Sequence, residues 1–220
     1  MKTLAVVVER PEHLVLSHLP LSPPGDGDVV VDIEWSAIST GTERLLWTGR
    51  MPSFPGMGYP LVPGYESVGR VASAGSRRLD CRVGERVFVP GARCFGEVRG
   101  LFGGAAARLV VPGEKAVTID EALGEQGVLI ALAATAYHVT AKAGGAQPDL
   151  IVGHGVLGRL MARLALVAGA SPPVVWERHP ERRHGAVGYS VVDPDTDPRR
   201  DYRVICDVSG DASVLDSLFA

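Results

Sequence analysis

The chain has 220 residues, 46% hydrophobic and 21% charged, with 22 basic against 25 acidic side chains and a formal net charge of −3. That balance is an ordinary globular one, with no basic stripe to suit nucleic acid and no apolar run near the roughly 18 residues of a bilayer span. Three scattered cysteines, Cys81, Cys94 and Cys206, with no C-x-x-C spacing, argue against a disulfide framework or a structural zinc lobe, and the expected location is the cytoplasm.

The first half reads as all-β. Short apolar runs at 4–8, 29–33, 67–72, 86–89 and 109–111 are parted by Pro23-Pro24-Gly25, Pro63-Gly64, Gly84-Glu85 and Pro112-Gly113. That spacing predicts a small barrel or sandwich. Residues 45–60 read as an irregular loop because Gly and Pro recur there, yet they carry Trp47, Met51, Phe54, Met57 and Tyr59. Such side chains are costly in water, so they should meet a ligand, the protein's own core or another subunit. Residues 121–143 are Ala-rich and predict a mainly helical bridge. Beyond it, strands are expected at 150–152, 174–177, 190–193 and 203–207, with an amphipathic helix at 156–168 and a short helix opening at Ala212. Strands alternating with helices predict a parallel doubly wound sheet, and hence two domains, 1–120 and 121–220.

The sharpest motif lies in the second half. Gly153-His154-Gly155-Val156-Leu157-Gly158 is a G-x-G-x-x-G turn that follows a strand and opens a helix, and Glu177 closes the next strand. Gly153 permits the tight turn, Gly155 lets a pyrophosphate approach the backbone, and Gly158 allows close helix–strand packing. Free N–H groups at the helix start, from Val156 and Leu157 onward, suit phosphate. Glu177 can accept from the ribose hydroxyls and would repel a 2′-phosphate, which favours NAD over NADP. Arg178, Arg182 and Arg183 pull the other way, since an arginine can pair with a 2′-phosphate. The cofactor-binding candidates are therefore Gly153, Gly155, Val156, Leu157, Gly158, Glu177 and Arg178, with His154 read as a turn residue and not as a base.

With Gly64-Tyr65-Glu66-Ser67-Val68-Gly69 and Gly84-Glu85-Arg86-Val87 added to that turn, the chain resembles the medium-chain dehydrogenase/reductase family. The resemblance implies an α/β plus β fold: a GroES-like β-barrel domain, then an incomplete Rossmann-type sheet. Residues 38–43, 46–52, 54–66 and 148–160 are similar to members that act late in bacteriochlorophyll synthesis. This implies NAD-dependent oxidation of the 3-(1-hydroxyethyl) group of a bacteriochlorophyllide to 3-acetyl, by a protein that can sit at the periphery of photosynthetic membranes. The substrate is then a tetrapyrrole, whose flat macrocycle would suit Trp47, Met51, Phe54, Met57 and Tyr59; homo-oligomeric assembly stays open.

The family's alcohol dehydrogenases hold catalytic zinc through a cysteine and a histidine at places that here read Thr40 and Tyr65, so no metal is expected. Another group must then take the hydroxyl proton. The candidates are Thr40 with Ser39, Tyr65, Glu66 and His138. Each has a plainer alternative: Tyr65 fills vacated volume, Glu66 pairs with a buried arginine, His138 packs in a core, and Thr42-Glu43 caps a following helix. Two other functions stay open, a zinc-less NADPH quinone or enone reductase and a catalytically inactive fragment. A full sheet of this kind carries strands beyond those near Ile151, Val175, Val191 and Ile205. A C-terminally truncated chain is therefore expected, poorly soluble and weak in NAD binding, with its fourth strand at an open edge.

Overall fold

Apolar alternation along the first half folds into two sheets that share one core. The computed structural model describes residues 1–77, 80–142, 144–211 and 213–218, apart from the side chains of Lys142 and Ser217, and forms two compact units, Met1–Ala131 and Leu132–Ala220. In the first unit β1 (Lys2–Arg10) and β2 (His13–Pro20) make an antiparallel hairpin, followed by β3 (Asp28–Ser36) and α1 (Thr40–Thr48). Then come β4 (Leu61–Val62), β5 (Ser67–Ala74), β6 (Arg86–Val89), β7 (Arg99–Gly100), β8 (Arg108–Pro112) and β9 (Val117–Thr118). One sheet runs β2-β1-β4-β7 and the other β8-β3-β5-β6-β9, closing over Val29, Val31, Val71, Val87, Phe95 and Leu109.

One local expectation needs correction, and one long strand was not expected. Residues 45–48 are not irregular: they complete α1, which ends at Gly49 in the left-handed conformation (φ 70°). The breakers act only after that cap, where glycine reaches positive φ at no steric cost. The strand β2 was not among the expected strands: its apolar run Leu14-Val15-Leu16 is short, bounded by His13 and by Ser17-His18, and Leu14 and Leu16 point to the exposed side.

The 121–143 bridge is helical but divided. Glu121–Leu129 is a 3-10 segment broken at Gly124 (φ 51°) and capped by the Asp120 carboxylate, which accepts from the Ala122 amide at 2.8 Å. The α-helix proper is α2 (Ile130–Lys142). Ala143 and Ala212 lie outside the described residues.

The second unit contains β10 (Leu150–Val152), α3 (Val156–Val167), β11 (Val174–Trp176), β12 (Ser190–Val192), β13 (Ile205–Asp207) and α4 (Val214–Leu218). All four strands are parallel, in the order β12-β11-β10-β13. The chain moves outward from β10 to β12 and then crosses to the other side, so the order reverses beside β10. Such a switch point leaves a crevice at the carboxyl ends of the strands, where ligands bind in doubly wound sheets. The fourth strand, β13, stands at one edge, with Ile205 exposed. Asp149 anchors it by accepting from the amides of Arg203 (3.1 Å) and Val204 (2.9 Å) and from Arg199 (2.8 Å). Among the described residues no helix is long and apolar enough to cross a membrane.

Candidate active site

At the nucleotide end the three glycines have different jobs. Gly153 sits at φ 104°, and a Cβ on Gly158 would collide with the Gly153 carbonyl, so these two serve the fold. A Cβ on Gly155 would meet nothing within 4 Å. Its smallness keeps space open at the start of α3, where the first amides have no intrahelical partner. Val156 and Leu157 supply that first turn. Gly153, Gly155, Glu177 and Arg178 line a cavity of about 610 Å³.

Glu177 is buried at the tip of β11, with Oε2 accepting from the His154 amide (3.2 Å) and Oε1 from the His179 amide (2.9 Å). Each oxygen keeps a lone pair for a further donor such as a ribose hydroxyl. Arg183 is committed elsewhere, to the carbonyls of Glu177 and Arg178 and to Asp193 at 2.6 Å. Arg178 and Arg182 remain on the cavity wall. His154 is a clamp. Its Nδ1 lies 2.6 Å from the Arg182 carbonyl, which can only accept, so Nδ1 carries the proton and Nε2 accepts from the Tyr189 hydroxyl at 2.8 Å. Burial pushes its pKa down and keeps the ring neutral.

In the first unit, α1 and the start of β5 gather a second polar group. The Tyr65 hydroxyl donates to Ser39 Oγ and lies 3.3 Å from Thr42 Oγ1, while its ring meets Phe102 edge-on. Glu66 is 2% exposed, and its Oε1 has no hydrogen-bond partner. Among the described residues no arginine pairs with it. Burial pushes the Glu66 carboxyl up, opposed by the Ser39 hydroxyl. Glu43, on the first turn of α1, likewise has an enclosed, unpartnered Oε2. Burial and then the Glu66 charge lift its pKa to about 7, against the Ser39 backbone amide. Glu43 and Thr40 line a mainly apolar cavity of about 730 Å³ bounded by β1, β2, β3 and α1.

The five aromatic and Met side chains divide. Met51, Met57 and Tyr59 pack against Val8, Leu46, Leu61 and Leu101, and the Tyr59 hydroxyl donates to the Leu46 carbonyl. Trp47 lines the apolar cavity, and Phe54 is exposed outside its wall. His138 is exposed on α2, in the second unit. Glu43 was read only as a cap, although it precedes buried Leu46 by one helical turn and so falls on the inward stripe of α1.

Residues 25–121 match the alcohol dehydrogenase GroES-like domain. Over 99% of its length the chain is 56% identical to 2-desacetyl-2-hydroxyethyl bacteriochlorophyllide A dehydrogenase of Rhodobacter capsulatus, spanning 69% of that protein. The chain belongs to the bacteriochlorophyllide a dehydrogenase family. The Cereibacter sphaeroides member is also 56% identical, with 99% of this chain and 70% of that protein covered. The fold is that of medium-chain dehydrogenases: the Bacillus subtilis 2R,3R-butanediol dehydrogenase structure superposes with a TM-score of 0.79 at 23% identity, over 97% of this chain and 72% of that one. Thr40 is exposed and Tyr65 is hydrogen-bonded to Ser39; a hydroxyl and a phenol supply neither the thiolate nor the imidazole that zinc takes. Among the described residues no three His, Cys, Asp or Glu side chains gather as a metal site.

Proposed function

We propose that this chain oxidises the 3-(1-hydroxyethyl) group of a bacteriochlorophyllide to 3-acetyl with NAD as acceptor. The observation that carries the substrate is its 56% identity, along nearly its whole length, to relatives bearing that activity in their names. Support for NAD comes from Glu177, buried at the strand tip with lone pairs free for a ribose diol, and from the committed state of Arg183. Bound NAD supplies the acceptor for the carbinol hydrogen and its electron pair. The chain's own part is to hold the pyrophosphate on the amides that open α3, to keep a 2′-phosphate out by the Glu177 charge, and to receive the macrocycle. The apolar cavity beside Trp47, Trp35, Ile38 and Leu16 suits such a flat, apolar ligand.

The test is to incubate the chain with 3-(1-hydroxyethyl) bacteriochlorophyllide and either NAD or NADP and to follow pigment absorbance. Conversion with NAD is expected, and conversion with neither cofactor overturns the reading. Glu177→Ser should weaken NAD binding roughly tenfold and narrow the preference over NADP, consistent with the loss of a charged hydrogen bond. Tighter binding of NADP than NAD by the unaltered chain would sink the cofactor assignment.

A further inference from the structure

We propose that Glu43 is the catalytic residue that takes the substrate's hydroxyl proton, with Glu66 as the buried carboxylate that holds it ready. The inference rests on the oxidation reading above and names the group that reading leaves open. Three observations converge on it.

The first is access. Of the acids in the first unit, Glu34 and Glu43 line the apolar cavity. Both Glu34 oxygens are committed, Oε1 to Arg70 and Oε2 to Arg86, each at 2.9 Å. The Glu43 side chain lines the wall, with Oε2 enclosed and without a hydrogen-bond partner. Arg44, the other charged group on the wall, carries only donors and cannot accept.

The second is the partner. Glu66 is almost fully enclosed, does not line the cavity, and has an unpartnered oxygen of its own. With Glu66 enclosed and Glu43 partly buried, the two carboxylates resist carrying two charges, so one proton is shared between them near neutrality. Glu43, the member with cavity access, then exchanges that proton with whatever the cavity holds. Its pKa of about 7 agrees.

The third is the setting. The Tyr65 hydroxyl has its proton directed at Ser39, so it is placed as a donor within the protein and not as the acceptor. The Ser39 hydroxyl turns to Glu66, and the Ser39 amide side of α1 favours the charged form of Glu43. The groups facing Glu43 are thus Glu66 and Ser39, with Arg44 and Glu34 on the same cavity wall.

In the step, the hydroxyl O–H breaks and its proton bonds to a Glu43 carboxylate oxygen. The O–H electron pair becomes the second bond of the new C=O, and the carbinol hydrogen leaves with its electron pair to the nicotinamide-class acceptor. Glu43 then gives its proton to water.

Glu43→Gln should lower kcat by roughly 10²–10⁴-fold with a smaller change in KM, and should erase the limb of the rate profile that rises through about pH 7. Glu66→Gln removes the like charge and should move that limb to lower pH, which a merely structural role would not do. Infrared titration of the cofactor-free chain gives an independent readout: a carboxyl C=O band should disappear near pH 7 and be missing in Glu43→Gln. If the unaltered chain oxidises the alcohol while Glu43→Gln keeps its rate and its limb, the base assignment falls and the oxidation reading stands. No oxidation by the unaltered chain overturns both. Absence of a carboxyl titrating near neutrality overturns the shared-proton pair alone.

Discussion

Replacing Glu43 by Gln removes an ionisable group whose carboxyl is lifted to about 7 by burial and by the Glu66 charge, against the Ser39 amide. Because the folded form holds this proton more tightly than the unfolded chain does, stability is lost as pH rises from the ordinary value of 4.5 through about 7. Above that window the unaltered protein bears the full cost of a carboxylate in a poor solvent, and the Gln variant bears none. The gap corresponds to roughly 3.4 kcal/mol at most, at ~1.36 kcal/mol per pH unit. Glu43 is only partly buried, and screening reduces this to about 1–2 kcal/mol. Urea denaturation at pH 4 and pH 8, followed by the fluorescence of Trp35 and Trp47, measures it. The variant should exceed the parent by about 1–2 kcal/mol at pH 8 and match it at pH 4 once any fixed packing offset, present at both pH values, is subtracted. An equal difference at the two pH values would refute the assignment of a strained carboxylate at Glu43.

The second unit offers two further tests. Gly158→Ala forces a Cβ into the Gly153 carbonyl, which cannot yield without opening the turn; a cost of roughly 2–4 kcal/mol and at least a tenfold loss of NAD affinity are expected, by urea denaturation and calorimetric titration. His154→Leu removes the Tyr189 hydroxyl's acceptor and one of the two donors to the Arg182 carbonyl, which keeps Arg159 Nη2 at 3.2 Å. It should cost roughly 2–4 kcal/mol, and a loss below about 0.5 kcal/mol would show that the clamp is not structural.

Legibility in the sequence followed the range of the physics involved. The strand–turn–helix–strand unit from Leu150 to Trp176 was readable because its requirements are local: positive φ at Gly153, contact at Gly158, and apolar stripes on α3. The parallel sheet followed from alternation, with strand ends moved by a residue or two. The first unit was legible as β but not strand by strand, since β2 faces Leu14 and Leu16 outward. Chemical type alone misdirected attention at residues 45–60. Met51, Met57 and Tyr59 carry the same apolar character as Trp47, and only the neighbours that fill their space separate core from cavity wall.

By itself, then, the sequence determined a dinucleotide turn with an acid at the next strand tip, because backbone conformation and helical period depend on residues close together in the chain. The tertiary structure decided what each polar group near the reaction can do. Glu43 and Glu66 lie 23 positions apart, and nothing in either segment alone marks a shared charge. Their unpartnered oxygens, the Ser39 hydroxyl between Tyr65 and Glu66, and the apolar wall contributed by β1, β2 and β3 exist only once distant segments are folded together. Desolvation depends on everything that surrounds a group in space, and so a carboxylate's readiness to take a proton is a property of the fold.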